Sequence, residues 1–410
     1  MLSRRVVVTG YGAVSPYGLG VRALWDGLAQ NRGAVAAAPG SSEDTGLRSR
    51  LRAVVPDLPS KEIPRHYRRT MSRMSQYAYL AAREAILMSG LPEDAVRGPR
   101  TAIVLGSTVG SVDALEEFFR PYVTTGRMDA VKSTVFFKVM NHSAASNLAL
   151  ALGATGPLIA ASAACATGCQ AQGIGAMLVA SGVADVALCG GADEYHPLTT
   201  ATFDIMNAAS IAYNDAPGSS PRPFDAARDG VVCSEGGGVL VLEALECAER
   251  RNAPVYAEFK GYGTNVDPGH IAHPSRESIA ACMRLALENA GVAPRDVSCV
   301  NAHATATAQG DTAEGLAIED VFGQDTPVGA LKGYFGHAMA AAGSLETIAC
   351  LEMMRRGVLL PTRNLEDPDP ACGAINHIRR VMQGAVSTVV KNNFALGGVN
   401  AVIVLRSIAE

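Results

Sequence analysis

Charge is scarce in this sequence: 18% of its 410 residues are Asp, Glu, Lys or Arg, and 35 basic residues against 39 acidic ones leave a net charge of −4. No global positive field exists to hold nucleic acid or an anionic membrane, which leaves only a local basic patch. Also missing is an apolar N-terminal segment long enough for a signal peptide, since Met1 to Arg5 carries two arginines and leads straight into Val6-Val7-Val8. No CxxC pair suggests zinc, and nine irregularly spaced cysteines without a secretory signal predict reduced thiols in the cytoplasm. Between Ser143 and Ala184 no residue is charged, yet Gly, Ser, Thr, Asn, Gln and Pro interrupt the stretch too often for a membrane span. That stretch is expected to form the buried centre of the fold and to extend into a subunit interface.

What is present is globular: 48% hydrophobic residues with 42 Gly and 21 Pro, a composition unlike disordered, collagenous or coiled-coil chains. Short β-rich runs alternate with helical patterns: strands over 5–9, 101–105 and 186–189, helices over 21–28, 74–89 and after Cys165. This alternation predicts an α/β protein. A strand at Gly236 to Glu243 closes a first half, and a second cycle of the same pattern is expected to follow. Val255 to Gly263 echoes Arg5 to Gly12, each ending in Gly-Tyr-Gly, and Gly397 to Leu405 echoes the strand at Gly236. The spacing between openings differs from that between closings, which suits an old duplication with unequal insertions better than a short-period solenoid; chance likeness of Gly-rich strand ends is the alternative. The halves are placed at 1–253 and 254–410.

Four stretches can carry chemistry. Cys165 follows an apolar run with small neighbours and precedes a helical pattern from Gln170 to Ser181. That is the setting of a nucleophile elbow, where the helix dipole and free backbone N–H groups favour thiolate. A cysteine there is equally a buried structural residue, as Cys169 is expected to be. His303 ends a short strand and is followed by Thr305 and Thr307, which on an extended segment would point the same way and suit the amides of a linear substrate arm; alone it is as easily a hydrogen-bonded core histidine. His337 is expected at the start of an alanine-rich helix, where the dipole keeps imidazole neutral. Lys332 could neutralise buried Glu314 or be a surface charge. Lys391 to Asn400 forms a Gly-rich bend between two β runs, able to aim a backbone N–H at an oxyanion or simply to join strands.

Together with Val7-Val8-Thr9-Gly10-Tyr11-Gly12, Pro223-Phe224-Asp225, Arg228-Asp229-Gly230, Asn301-Ala302-His303, Gly336-His337 and Asn393-Phe394 with Gly397-Gly398, these stretches resemble the β-ketoacyl-acyl-carrier-protein synthases, types I and II, of the thiolase superfamily, from Val6 to Leu405. The resemblance implies a five-layered α/β/α/β/α fold of two duplicated halves and a homodimer, or a heterodimer with a chain-length-factor subunit. It implies a decarboxylative condensation in which Cys165 takes an acyl chain from acyl carrier protein and extends it by two carbons with malonyl-carrier protein. Cys165 and Leu396 N–H groups would form the oxyanion hole, one such donor being worth ~3–4 kcal/mol. His303 and His337 would stabilise the enolate, Lys332 would pair with Glu314, and Thr305 and Thr307 would bind phosphopantetheine. No metal or redox cofactor is implied, although Asn301 and Glu346 match positions near a structural cation in some relatives. Val109, Met140, Phe394 and Leu396 match positions of the acyl pocket and its gate. An acidic carrier needs a basic dock, for which Lys61, Arg65, Arg68, Arg69 and Arg73 stand at the matching place; a solvated helix face is the alternative.

Two departures stand out. Ala304 replaces the usual Gly after the first histidine, and Phe394-Ala395-Leu396-Gly397-Gly398 replaces Phe-Gly-Phe-Gly-Gly, so leucine stands where a ring normally gates the pocket. The altered gate suggests a rigid, unsaturated or aryl-capped acyl chain from a fatty acid or specialised polyene or polyketide pathway. A non-catalytic chain-length-factor-like subunit is the alternative, against which retention of Cys165, His303, His337 and Lys332 speaks. A degradative thiolase fits less well, because its late Cys-Gly motif has no counterpart.

Overall fold

The computed structural model describes residues 4–39 and 46–408; Met1 to Ser3 and the last two residues of the expected C-terminal half lie outside them. Runs buried on both faces, most of them rich in valine, form the central strands, and short, partly exposed ones form the two edges. In the first half these are β1 (Val6–Ser15), β2 (Thr101–Gly106), β3 (Leu158–Ile159), β4 (Val186–Asp193) and β5 (Gly236–Ala244). In the second they are β6 (Ala257–Val266), β7 (Cys299–Asn301), β8 (Pro327–Gly329), β9 (Asn376–His377), β10 (Thr388–Phe394) and β11 (Val399–Arg406).

The strand order across the described sheet is β9-β8-β7-β10-β11-β6-β1-β5-β4-β2-β3. Read outward from its middle, it says the same thing twice. β1 pairs antiparallel with β5, β5 antiparallel with β4, then β4 and β2 run parallel. Likewise β6 pairs antiparallel with β11, β11 antiparallel with β10, then β10 and β7 run parallel. Only Val7–Glu258 and Val8–Ala257 join β1 to β6.

The main helices are α1 (Val21–Ala29), α2 (Arg73–Ser89), α3 (Thr167–Ala180), α4 (Arg276–Ala290), α5 (Ala308–Phe322) and α6 (Ala342–Arg356). α2 lies on β1 and β5, and α4 on β6 and β11, as the outer layers; α3 and α6 touch strands of both halves and make the middle one. The echoed Gly-Tyr-Gly has a packing cause. A Cβ on Gly10 or Gly12 would stand 2.2 or 2.1 Å from the Ala85 or Ala81 carbonyl oxygen of α2, and one on Gly261 or Gly263 2.6 or 2.5 Å from the Ala286 or Cys282 carbonyl of α4. Each opening strand thus takes its outer helix at backbone contact, which only glycine permits.

The uncharged stretch divides. α3 is largely buried, as expected, but Leu150 and Leu158 are 60% and 39% exposed, so its middle part lies on the surface of the single chain and β3 is a sheet edge.

Candidate active site

Cys165 sits in a tight 3-10 turn, Ala164–Ala166, directly before α3. Ala164 is held at φ 44°, in the left-handed region that an alanine rarely occupies. The sharp turn carries the thiol to the floor of a cavity of about 470 Å³, whose wall also includes His303, His337, Thr305, Thr307, Glu314, Phe394 and Leu396. One ligand atom from each of Cys165, His303 and His337 lies within 4.8 Å of the others. The two imidazole rings meet edge to face, with centroids 5.2 Å apart.

The electrostatics correct one expectation and support another. Burial pushes the Cys165 thiol up to about 12, with Lys332 opposing, so the helix end does not favour thiolate in the resting site. Burial also holds His303 and His337 well below the ordinary imidazole range, helped by the positive charges of Lys332 and Lys391. Both rings are therefore neutral. His337 does not start the alanine-rich helix: it lies between the short helix Lys332–Phe335 and the turn Met339–Ala341 that precedes α6. There its backbone N–H donates to the Val232 carbonyl (2.8 Å), and neither ring nitrogen has a hydrogen-bond partner among the described residues.

Lys332 does not pair with Glu314. Its ammonium donates to Glu346 Oε1 (2.7 Å) and to the His303 carbonyl (2.5 Å). Glu314 is already engaged, accepting from the backbone N–H groups of His303 (2.8 Å) and Ala304 (2.7 Å) and from Asn392 Nδ2 (3.1 Å). Carboxylate and lysine thus hold the same histidine segment from two sides, one at its N–H groups and one at its carbonyl. Glu346 carries a second ammonium, Lys391, at 2.7 Å. Two lysine ammonium groups thus stand at Glu346, one of the two positions considered for a structural cation; Asn301, the other, is buried with its Oδ1 unpartnered among the described residues.

The threonines converge, but not along an extended strand. Ala304 and Ala306 sit at φ 26° and 65°, and this winding brings Thr305 Oγ1 and Thr307 Oγ1 within 3.0 Å of each other on the cavity wall. Asp311 holds the bend by accepting from the N–H of Ala306 (3.0 Å). Around the gate, the N–H groups of Ala395, Gly397 and Gly398 donate to the carbonyls of Val399, Ile271 and Ala395. The Leu396 N–H is not tied up in that way, and its residue shares the cavity with Cys165. Val109 and Met140 are not among the residues lining this cavity; Val109 is 51% exposed, and Met140 ends the helix Ser133–Val139. The wall instead takes Phe203, Met206, His270 and Ile271, which no spacing in the sequence singles out.

Of the basic residues, Lys61, Arg65 and Arg69 are exposed, while Arg68 donates to the Ser60 carbonyl (2.8 Å). Arg73 is exposed as well, with its guanidinium 3.0 Å from buried Glu235.

A cysteine and two neutral imidazoles around one cavity agree with what comparison with known proteins finds. Residues 3–248 match the family described as beta-ketoacyl synthase, N-terminal domain, and residues 256–366 its C-terminal domain. The chain belongs to the β-ketoacyl synthase family. This synthase is 35% identical to the tetracenomycin polyketide synthase ketoacyl synthase alpha subunit of Streptomyces glaucescens, covering 98% of this chain and 97% of that one. It is 33% identical to 3-oxoacyl-[acyl-carrier-protein] synthase 1 of Escherichia coli, covering 99% and 100%. A crystal structure of a beta-ketoacyl synthase from Burkholderia phymatum superposes with a TM-score of 0.96 at 37% identity, covering 99% and 100%. A type II polyketide ketosynthase solved in complex with its acyl-carrier protein superposes with 0.92 at 29% identity, with the same coverage. The synthase has the thiolase-like fold of these neighbours and is an acyltransferase that condenses an acyl chain with malonyl-acyl-carrier protein. Ketosynthases of this family take their substrates on the carrier protein and need no free cofactor.

Lys391 and Asn393 lay in a stretch that sequence reasoning singled out for its backbone, without a role for their side chains. The signal was a lysine following Val389-Val390 in a β run that ends in a Gly-rich turn.

Proposed function

We propose that Cys165 is the nucleophile, with His303 and His337 as the neutral donors of the condensation; the observation that carries this is their convergence within 4.8 Å on the cavity floor. Cys165 attacks the thioester of an acyl-carrier protein, and the N–H groups of Cys165 and Leu396 hold the oxyanion. The thiol's proton passes to the departing pantetheine sulfur, so this transfer is proton-neutral although burial raises the Cys165 thiol. Malonyl-carrier protein then enters, with Thr305 and Thr307 taking its pantetheine arm. Loss of carbon dioxide leaves an enolate whose oxygen the two imidazoles stabilise, since neutral rings donate without surrendering a proton. The carbanion attacks the Cys165 thioester and expels the Cys165 thiolate, which takes a proton from solvent as the 3-oxoacyl product leaves. Lys332, Glu346 and Glu314 position the histidine segment.

Exposed Lys61, Arg65 and Arg69, with no carboxylate partner among the described residues, support a dock for an acidic carrier. The edge strand β3 with exposed Leu150 and Leu158 supports a dimer, either with a second copy or with a chain-length-factor subunit. Nine unpaired cysteines support a reducing, cytoplasmic setting. The halves are taken as 1–253 and 254–410. Leu396 and Phe394 form the gate, and leucine in place of a ring supports a specialised acyl chain.

The test is the intact mass of the wild type and of Cys165→Ala after incubation with saturated, polyunsaturated and aryl-polyene acyl-carrier proteins, then malonyl-carrier protein. Acyl mass gained only by the wild type, followed by a product longer by two carbons, is the expected result. No loading, alone or with a co-purified partner, defeats the catalytic assignment.

A further inference from the structure

Lys391 is fully buried and has no task in the mechanism above. Beside its ion pair with Glu346 Oε2 (2.7 Å), its ammonium donates to Asn393 Oδ1 (2.9 Å) and to the Asn392 carbonyl. An ammonium has only donors, so the Asn393 amide must present its oxygen to it; turned over, the amide would set NH2 against NH3+. The amide nitrogen then faces the opposite way, where it donates to the Cys165 carbonyl (3.2 Å) and to His303 Nδ1 (3.3 Å). A ring nitrogen that accepts carries no proton, and a neutral imidazole keeps its single proton on the other nitrogen.

We propose that Lys391 and Asn393 act as a pair of positioning residues that select the Nε2–H tautomer of His303, the form able to donate from Nε2 to the enolate. The proposal rests on the reading of His303 as a donor. Other polar neighbours of this histidine do not set its ring: Glu314 accepts its backbone N–H and Lys332 donates to its carbonyl. His337, whose ring nitrogens have no partner among the described residues, has no matching device. One imidazole is thus set by the protein in advance, and the other is left for substrate to set.

The experiment is 15N NMR of the histidine-labelled full-length protein, with His303→Gln and His337→Gln to assign the rings, beside separate assays of Cys165 acylation and malonyl decarboxylation. The wild type should show His303 unprotonated at Nδ1. In Asn393→Asp a carboxylate accepts from both Lys391 and the ring, so the proton should move to Nδ1, with decarboxylation falling about 100-fold as for loss of an oxyanion donor; acylation, which loses only the amide donated to the Cys165 carbonyl, should fall by at least about 10-fold less. Asn393→Ser, whose hydroxyl can donate or accept, should give both tautomers and covers the case in which the aspartate variant does not fold. A proton on Nδ1 in the wild type, or an unmoved tautomer in both variants, overturns the proposal. If the wild type fails to load or decarboxylate while its tautomer is as stated, the assigned chemistry fails and the tautomer device stands.

Discussion

α3 and α6 occupy matching places in the middle layer, and each is preceded by a side chain of the triad, Cys165 before one and His337 before the other. They cross at backbone contact: a Cβ on Gly168 would lie 2.5 Å from the Ala340 carbonyl oxygen, and one on Gly343 2.5 Å from the Cys169 nitrogen. Their chemistry is opposite. α3 has no charged residue and a single buried amide of note, Gln172, whereas α6 carries Glu346 with two lysines bound to it. One copy of the repeat supplies a strained turn and small residues, which let an acyl thioester approach the sulfur. The other supplies the fixed charges, which add to burial in keeping both imidazoles neutral and hold the segment that bears His303.

The sharpest way to break this comparison is to neutralise Glu346. Glu346→Gln leaves two ammonium groups buried with only neutral acceptors, which should cost about 3–5 kcal/mol, read as a lower denaturant midpoint. Gln172→Met in the matching helix should move stability by less than about 1 kcal/mol, because one oxygen of that amide is already unpartnered. Equal losses in the two variants would show that the halves do not divide the work in this way.

The next effect is on pH dependence, and the two halves should respond oppositely. His303 and His337 have depressed pKa values, so decarboxylation should hold steady as pH falls through the ordinary imidazole range near ~6.5 and fail only at more acid pH. Stability should already decline there, because the unfolded chain takes up protons that the folded histidines refuse. The Cys165 thiol, raised to about 12, should give an acylation rate that climbs with pH up to the protein's alkaline limit. A plateau below pH ~9 would place the thiol in its ordinary range instead.

Smaller effects belong to the periphery. Reversing Arg65 and Arg69 to Glu together should raise KM for malonyl-carrier protein by about 10-fold at low salt, with kcat little changed and the difference shrinking as salt is added. Leu396→Phe should change the ratio of kcat/KM between rigid and saturated acyl chains by about 3–10-fold. An unaltered ratio would remove Leu396 from the gate.

Much of this was legible in the chain because packing and chemistry left local marks. Two Gly-Tyr-Gly openings marked two corresponding strands, and Cys165, His303 and His337 each stood beside small residues at the edge of an element. Glu314 was legible as a buried carboxylate but not by its partner. Its bonds go to backbone N–H groups, which carry no residue-type signal, while Lys332 found Glu346 on a helix that packs against it from another direction. The winding of Thr305 and Thr307 was hidden for a similar reason: alanines at positive φ are imposed by Glu314 and Asp311 from a neighbouring helix, against local preference. The acyl wall at Phe203 and Ile271 comes from segments distant in sequence, with no shared period.

By itself the amino-acid sequence determined the α/β class and pointed to the repeat and to Cys165, His303 and His337 as candidates, since strand pattern, glycine spacing and reactive residue types are local properties. Only the tertiary structure decided which charges face one another, which tautomer His303 holds and how far burial raises the Cys165 thiol. Those depend on distance and dielectric between segments far apart in the chain, and electrostatic energy in a buried site is set by that geometry.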